Sequence, residues 1–208
     1  MNPPAVVLIE GLDLAGKSTA WSAVGDRLAA RGFAIRRQRN ALVAHNELAA
    51  QADALRRNPD RDRAETGNLF LAAHRWDSRH FVRPEPGGIH LQDSCWMRTL
   101  AHCRFAGERA HAAQLEKEAA AFPTFDRACF LTASLERRRE RLLRRQRENP
   151  AANDAGDAWV NTHPADFLRL EQALEATVNE FLPAVKIDTT DLSVDEVAER
   201  VVAAILDP

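Results

Sequence analysis

Apolar positions along the chain follow two rhythms. Residues 5–10 (AVVLIE) form an unbroken β-branched and apolar run that ends on a glycine turn, the pattern of a strand buried on both faces of a parallel sheet. The spacing then changes to three and four, with Trp21, Val24 and Leu28 on one side of a helix predicted over 17–31 and stopped at Gly32. Short runs recur at 33–37 (FAIRR), at 89–93 after the Gly87-Gly88 turn, at 128–132 (ACFLT) and at 184–188, and each reads as a strand. Helical stretches separate them: 42–57, broken at Pro59; 64–82, broken at Pro84 and Pro86; 96–121, stopped by Pro123; then 135–147, 164–182 and 194–206. Ser193 is placed to cap the last of these. Residues 149–157 (NPAANDAGD) hold only turn and loop formers and predict a mobile segment. Strands alternating with helices predict one α/β domain over 1–208, a five-stranded parallel sheet flanked by helices, with no repeat or linker.

Composition agrees with this picture and narrows it. The 208 residues, 45% hydrophobic and 28% charged, suffice for one compact domain with its own core, which excludes a disordered or fibrous chain. Lys and Arg total 28 against 30 Asp and Glu, so the net charge of -2 offers no general attraction for nucleic acid or an anionic membrane. Any anion site must therefore be local. Cys95, Cys103 and Cys129 are odd in number, form no CxxC pair and have no zinc-spaced histidines beside them, which predicts a reduced, cytoplasmic setting. The apolar run at 5–9 is too short and too poor in flanking basic residues for a signal peptide, and no stretch approaches the roughly 20 apolar residues of a membrane span.

The local anion site is the string Gly11-Leu12-Asp13-Leu14-Ala15-Gly16-Lys17-Ser18, which matches GxxxxGKS at every fixed position and lies between a predicted strand and a predicted helix. Glycines let main-chain N–H groups curl around a phosphate, and the helix start adds unsatisfied donors and positive dipole. Gly11, Leu14, Ala15, Gly16, Lys17, Ser18 and Thr19 are accordingly the candidate nucleotide-binding residues. Lys17 brings a mobile charge to the β and γ phosphates, and the Ser18 hydroxyl is a ligand for Mg²⁺. Binding of a nucleoside triphosphate follows, but switches, motors, hydrolases and kinases all use such a loop. The chain has no NKxD or DxxG string of a GTPase and is short for a motor or AAA-type ATPase. A small phosphotransferase with ATP and Mg²⁺ remains.

Beyond the loop, the sequence resembles the thymidylate kinase branch of the nucleoside monophosphate kinases over nearly its whole length. VLIEGLDLAGKST looks like that family's first strand and phosphate loop, in which an acidic residue, here Asp13, contacts the acceptor's sugar. Residues 69–77 (LFLAAHRWD) resemble the helix that carries an arginine for the acceptor, here Arg75. Asp93, with Leu100 and Ala101, resembles the DR segment after the third strand, whose Asp lies near the metal. Residues 135–145 resemble the helix leading into an arginine-bearing lid, here about 145–160. The resemblance implies a P-loop NTPase fold, a small-molecule phosphoryl acceptor and a homodimer. It also has gaps. The family's Arg after the strand-end Asp is Ser94, its base-stacking Phe falls on Leu71, its base-reading amide falls near Cys103, and its TREPG-type segment is absent, leaving Arg39 and Asn40. Arg98, one helical turn past Ser94, is the candidate to compensate. These gaps predict an acceptor pocket unlike a standard thymine site, because serine cannot reproduce a bidentate guanidinium contact.

The densest charge is Arg137-Arg138-Arg139 with Arg141, Arg144, Arg145 and Arg147. The first three are expected to solvate a helix face, whereas Arg141, Arg144, Arg145 or Arg147 is expected to reach over ATP and neutralise the transferring phosphoryl group. Binding of RNA by this run is the weaker reading in a chain that is not basic overall. Lys17, Asp93, Arg141 and Arg145 are thus the candidate catalytic residues, Ser18 and Asp93 the metal ligands, and Asp13, Arg39, Leu71, Arg75 and Arg98 the acceptor site. The favoured acceptor is a nucleoside monophosphate or close analogue. The alternatives are a kinase acting on a hydroxyl, with Asp13, Glu47 or Asp93 as base, and a non-catalytic ATP-binding regulator.

Overall fold

The computed structural model describes residues 5–58, 60–148 and 155–207, the side chains of 155–157 excepted. In chain order the elements are β1 (Val6–Glu10), α1 (Lys17–Ala30), β2 (Ala34–Arg39), α2 (Glu47–Arg56), α3 (Arg63–His80), β3 (Gly88–Asp93), α4 (Trp96–Ala106), α5 (Arg109–Glu118), β4 (Arg127–Thr132), α6 (Leu135–Glu148), α7 (Ala155–Thr162), α8 (Pro164–Phe181), β5 (Ala184–Asp188) and α9 (Val194–Leu206). All pairings in the sheet are parallel and the strand order is β2-β3-β1-β4-β5. Strand β1 is central because it is the most apolar run, and its alternation divides the core. Val6 and Leu8 face Leu100, Leu115, Phe167 and Leu174, whereas Val7 and Ile9 face Val24, Leu28, Val201 and Ile205. In this strand order the chain winds one way to β3 and β2 and the other way to β4 and β5, so a crevice opens at the carboxyl end of β1.

Three sequence expectations are corrected. The helix expected over 96–121 is broken at Gly107, whose left-handed backbone (φ 74°) separates α4 from α5, and a 3-10 turn, Ala119–Ala121, ends the segment. The helix expected from 42 begins at Glu47, because Asn46 caps it by accepting from the Ala49 amide. The residues before it form a loop with left-handed Asn40 and His45. Of the loop expected over 149–157, residues 149–154 lie outside the described residues, and 155–157 open α7. That helix overlaps the predicted lid of 145–160 and runs on to Thr162, and its Val160 is fully buried in the core.

Candidate functional site

The loop at the end of β1 is shaped by two glycines and one strained leucine. A Cβ on Gly11 (φ 144°) would stand 2.1 Å from the Leu131 carbonyl oxygen, so only glycine lets the loop pass β4. Gly16 (φ 91°) turns the chain into α1, and the first-turn amides of that helix have neither an intrahelical acceptor nor a side-chain cap. Leu14 is left-handed too (φ 64°), a conformation that costs a non-glycine residue about 1 kcal/mol or more. Its side chain is buried, and its carbonyl accepts from Arg141 Nη1 at 2.9 Å.

Arg141 therefore acts at the base of the loop. It also donates to the hydroxyl (3.0 Å) and the carbonyl (2.8 Å) of Thr189, and the Thr189 hydroxyl lies 2.9 Å from the Ala15 carbonyl. Arg138 holds the other side. It is completely buried, stacks over Phe167, pairs with Glu171, and donates to the carbonyls of Asp13 (2.5 Å) and Ala133 (2.9 Å). The expectation that Arg137–Arg139 all solvate the helix fails at Arg138, because three carbonyl and carboxylate acceptors and an aromatic face replace its water. Burial pushes the Glu171 carboxyl up, against the opposing pull of the Arg138 guanidinium, which cannot release its own proton. Two arginines of α6 thus clamp the carbonyl side of the loop and leave its N–H side to the crevice.

Across the loop lies a second charged group. Arg98 of α4 donates to Glu10 Oε1 at 2.6 Å and to the Gly11 carbonyl, and lies 3.7 Å from Asp13. Glu10 is fully buried, its Oε1 also accepts from the Gly11 amide at 2.9 Å, and its Oε2 has no partner among the described residues. Burial alone would raise the Asp13 carboxyl, but Lys17 and Arg98 together hold it below its ordinary value. Burial and the Arg98 charge lower the Lys17 ammonium, against the pull of Asp93, Asp13 and Glu10. Among the described residues nothing hydrogen-bonds that ammonium, which leaves it available to an anion. Asp93 ends β3 in register with Ile9, and its carboxylate is held by Arg39 Nε at 3.1 Å. Arg39 also lies 5.2 Å over the Trp21 ring.

Two expected acceptor residues, Arg75 and Leu71, separate from this group. Arg75 is held by Glu118 of α5 through both Nε (2.7 Å) and Nη2, and Leu71 packs into the core with Leu100 and Leu115. Ser18 and Thr19 are exposed on the first turn of α1. Beside the loop, a cavity of about 380 Å³ is lined by Leu14, Gly16, Thr19, Arg141, Arg144 and Arg145 and closed by residues 192–194. Sequence reasoning missed Arg138, Glu171 and Thr189, which act only through long-range packing. It also passed over His90 and Gln92, although polar residues two apart in a strand that should be apolar on both faces were a visible signal.

No protein-family model matches this sequence, and no match is found among curated proteins. The structure of thymidylate kinase from Candida albicans matches with a TM-score of 0.67 over 97% of this chain and 90% of that one, at 14% identity. The chain has the thymidylate kinase fold. Its five-stranded parallel sheet, flanked by helices, is the architecture expected from the sequence. Gly11 to Ser18 stand at the end of the central strand of that sheet. No described helix is long and apolar enough to cross a membrane.

Proposed function

We propose that the protein is an ATP-dependent phosphotransferase that moves the γ-phosphoryl group to a nucleoside monophosphate or close analogue. The observation that carries the reading is the loop from Gly11 to Ser18. Its carbonyls are engaged by Arg138 and Arg141, while its helix-start amides and the Lys17 ammonium are left for an anion. The adjoining 380 Å³ cavity has room for the nucleoside of the donor and is rimmed by Arg141, Arg144 and Arg145. No group of three or more metal-binding side chains occurs among the described residues. The Ser18 hydroxyl and Asp93 carboxylate fit Mg²⁺, which keeps its waters and takes one or two protein oxygens beside the phosphates. The bound ion would neutralise charge on the β and γ phosphates.

In this reading Lys17 follows the γ-phosphoryl group, the loop amides hold the β-phosphate, and Arg141 keeps the loop in shape. Asp13, held ionised, faces the acceptor side with Arg98. Arg75 would exchange Glu118 for the acceptor phosphate. A homodimer belongs to the same proposal. A second reading, phosphorylation of a hydroxyl, is favoured by two observations: Arg75 is committed to Glu118, and the position after Asp93 is an uncharged serine. Asp13 would then serve as base. ADP release with a panel of nucleoside monophosphates and nucleosides, with Lys17→Ala as control, decides between them. Turnover with monophosphates alone supports the first reading, turnover with nucleosides alone the second, and ATP binding without acceptor-dependent release contradicts both.

A further inference from the structure

Strand β3 carries a polar pair where a buried parallel strand is ordinarily apolar. His90 and Gln92 are two residues apart on one face, in register with Val6 and Leu8, and both are fully buried. Buried polar groups cost free energy unless every one is satisfied, so the partners of this pair define what it does.

Those partners give the chain of hydrogen bonds a single direction. Arg36 Nε, which can only donate, lies 2.8 Å from His90 Nδ1. Nδ1 must therefore accept, and the ring proton sits on Nε2, 2.9 Å from Gln92 Oε1. With its oxygen fixed there, the Gln92 amide turns its two N–H groups to the carbonyls of Ser94 (2.7 Å) and Ala41 (3.3 Å). These carbonyls belong to the two loops that flank the candidate metal site. Each loop holds a left-handed non-glycine residue, Ser94 (φ 71°) in one and Asn40 (φ 64°) in the other. The Asn40 amide donates to the Asp93 carbonyl at 2.9 Å, and Arg39 binds the Asp93 carboxylate. The pair thus ties together the strand ends from which Asp93 and Arg39 project.

We propose that Arg36, His90 and Gln92 form a directed hydrogen-bond relay that fixes the Asp93 loop, making Gln92 a positioning residue for the magnesium ion of the bound nucleotide. The inference rests on the nucleotide reading above for the identity of the ion, and on the described contacts alone for the relay itself.

Two variants of Gln92 separate shape from hydrogen bonding. Gln92→Leu removes both functions, and Gln92→Glu keeps the shape but cannot donate to the two carbonyls. Calorimetry of ATP with Mg²⁺ and with EDTA should show each variant losing roughly tenfold of the magnesium-dependent tightening, as losses of groups that orient metal ligands do. Metal-free ATP affinity should stay within about twofold. Adding Ser94→Gly to Gln92→Leu should recover most of the loss, because glycine takes the left-handed turn without help. Unchanged magnesium dependence in folded Gln92→Leu, or equal losses with and without metal, would overturn the proposal. Arg36 is exposed, so Arg36→Met is expected to fold, and hydrogen exchange at the Asn40 amide should then quicken several-fold. Unaltered Asn40 exchange would overturn the relay's direction. A parent protein that binds no ATP would remove the nucleotide reading instead, and the exchange measurement would still decide the relay.

Discussion

Individual arginines in this protein differ more by environment than by sequence. Arg138 and Arg141 lie three positions apart on α6, yet Arg138 is sealed inside with Glu171 and Phe167 while Arg141 braces Leu14 and Thr189. Removing one partner of a buried pair strands the other charge, so Arg138→Ala should destabilise by about 3–5 kcal/mol in denaturant unfolding. Joint replacement by Arg138→Met and Glu171→Leu should recover most of that loss. A neutral single variant would contradict the burial. Arg75 is a different case. Its pair with Glu118 is partly exposed, and such pairs contribute at most about 1 kcal/mol. Arg75→Ala should thus leave the melting temperature and the ATP KM nearly unchanged, and raise the acceptor KM about tenfold or more if the guanidinium meets an acceptor phosphate. Equal acceptor KM in mutant and parent would assign Arg75 to Glu118 alone.

At the scale of elements, the pattern of apolar positions reached all five strands because β1, β3 and β4 are short buried runs and all five are bounded by glycine, proline or polar turns. The glycine loop was legible for a related reason, since its chemistry is carried by consecutive residues. What the pattern could not resolve was decided by single backbone angles, as at Gly107, or by side chains meeting across the fold, as Arg98 meets Glu10 and Arg138 meets Glu171. Arg98 and Asp93 belong to different elements, and no spacing in the sequence announces that Arg98 grips the end of β1. Helix α9 is the opposite case, fully readable. Ser193 accepts from the Glu196 amide while Glu196 reaches back to the Ser193 amide at 2.8 Å. Ser193→Ala should cost about 1 kcal/mol of unfolding free energy. Because Ser193 also lines the cavity beside the loop, its loss should loosen residues 192–194 there, read as faster amide exchange in that stretch. Unchanged stability and exchange would argue against the cap.

For the whole molecule, buried histidines set the response to acid. Burial holds His74 at about 4, and burial with the Arg36 charge holds His90 at about 4, the latter against its hydrogen bond to Gln92. Unfolded, both would take up protons near 6.5. Stability is therefore fully present above pH 6.5 and should fall as the pH is lowered toward 4, by up to about 1.4 kcal/mol per pH unit for each histidine. Carboxylates held low by their partners, such as Asp126 and Asp188, extend the loss below that range. Denaturant midpoints across pH 4–7 check this, and a flat profile would contradict the neutral, buried state of both rings. The cysteines add nothing to this response, for burial pushes the Cys103 and Cys129 thiols up to about 12.

All of these features converge on one loop whose carbonyls are tied down by arginines and whose amides face the crevice. Titration of magnesium–ATP into the folded protein, followed by calorimetry, tests that arrangement most directly. Saturable binding of one nucleotide per chain is expected, abolished or weakened at least about tenfold by Lys17→Ala. A well-folded protein that gives no heat with magnesium–ATP, or a Lys17→Ala variant that binds it as tightly as the parent, would contradict it.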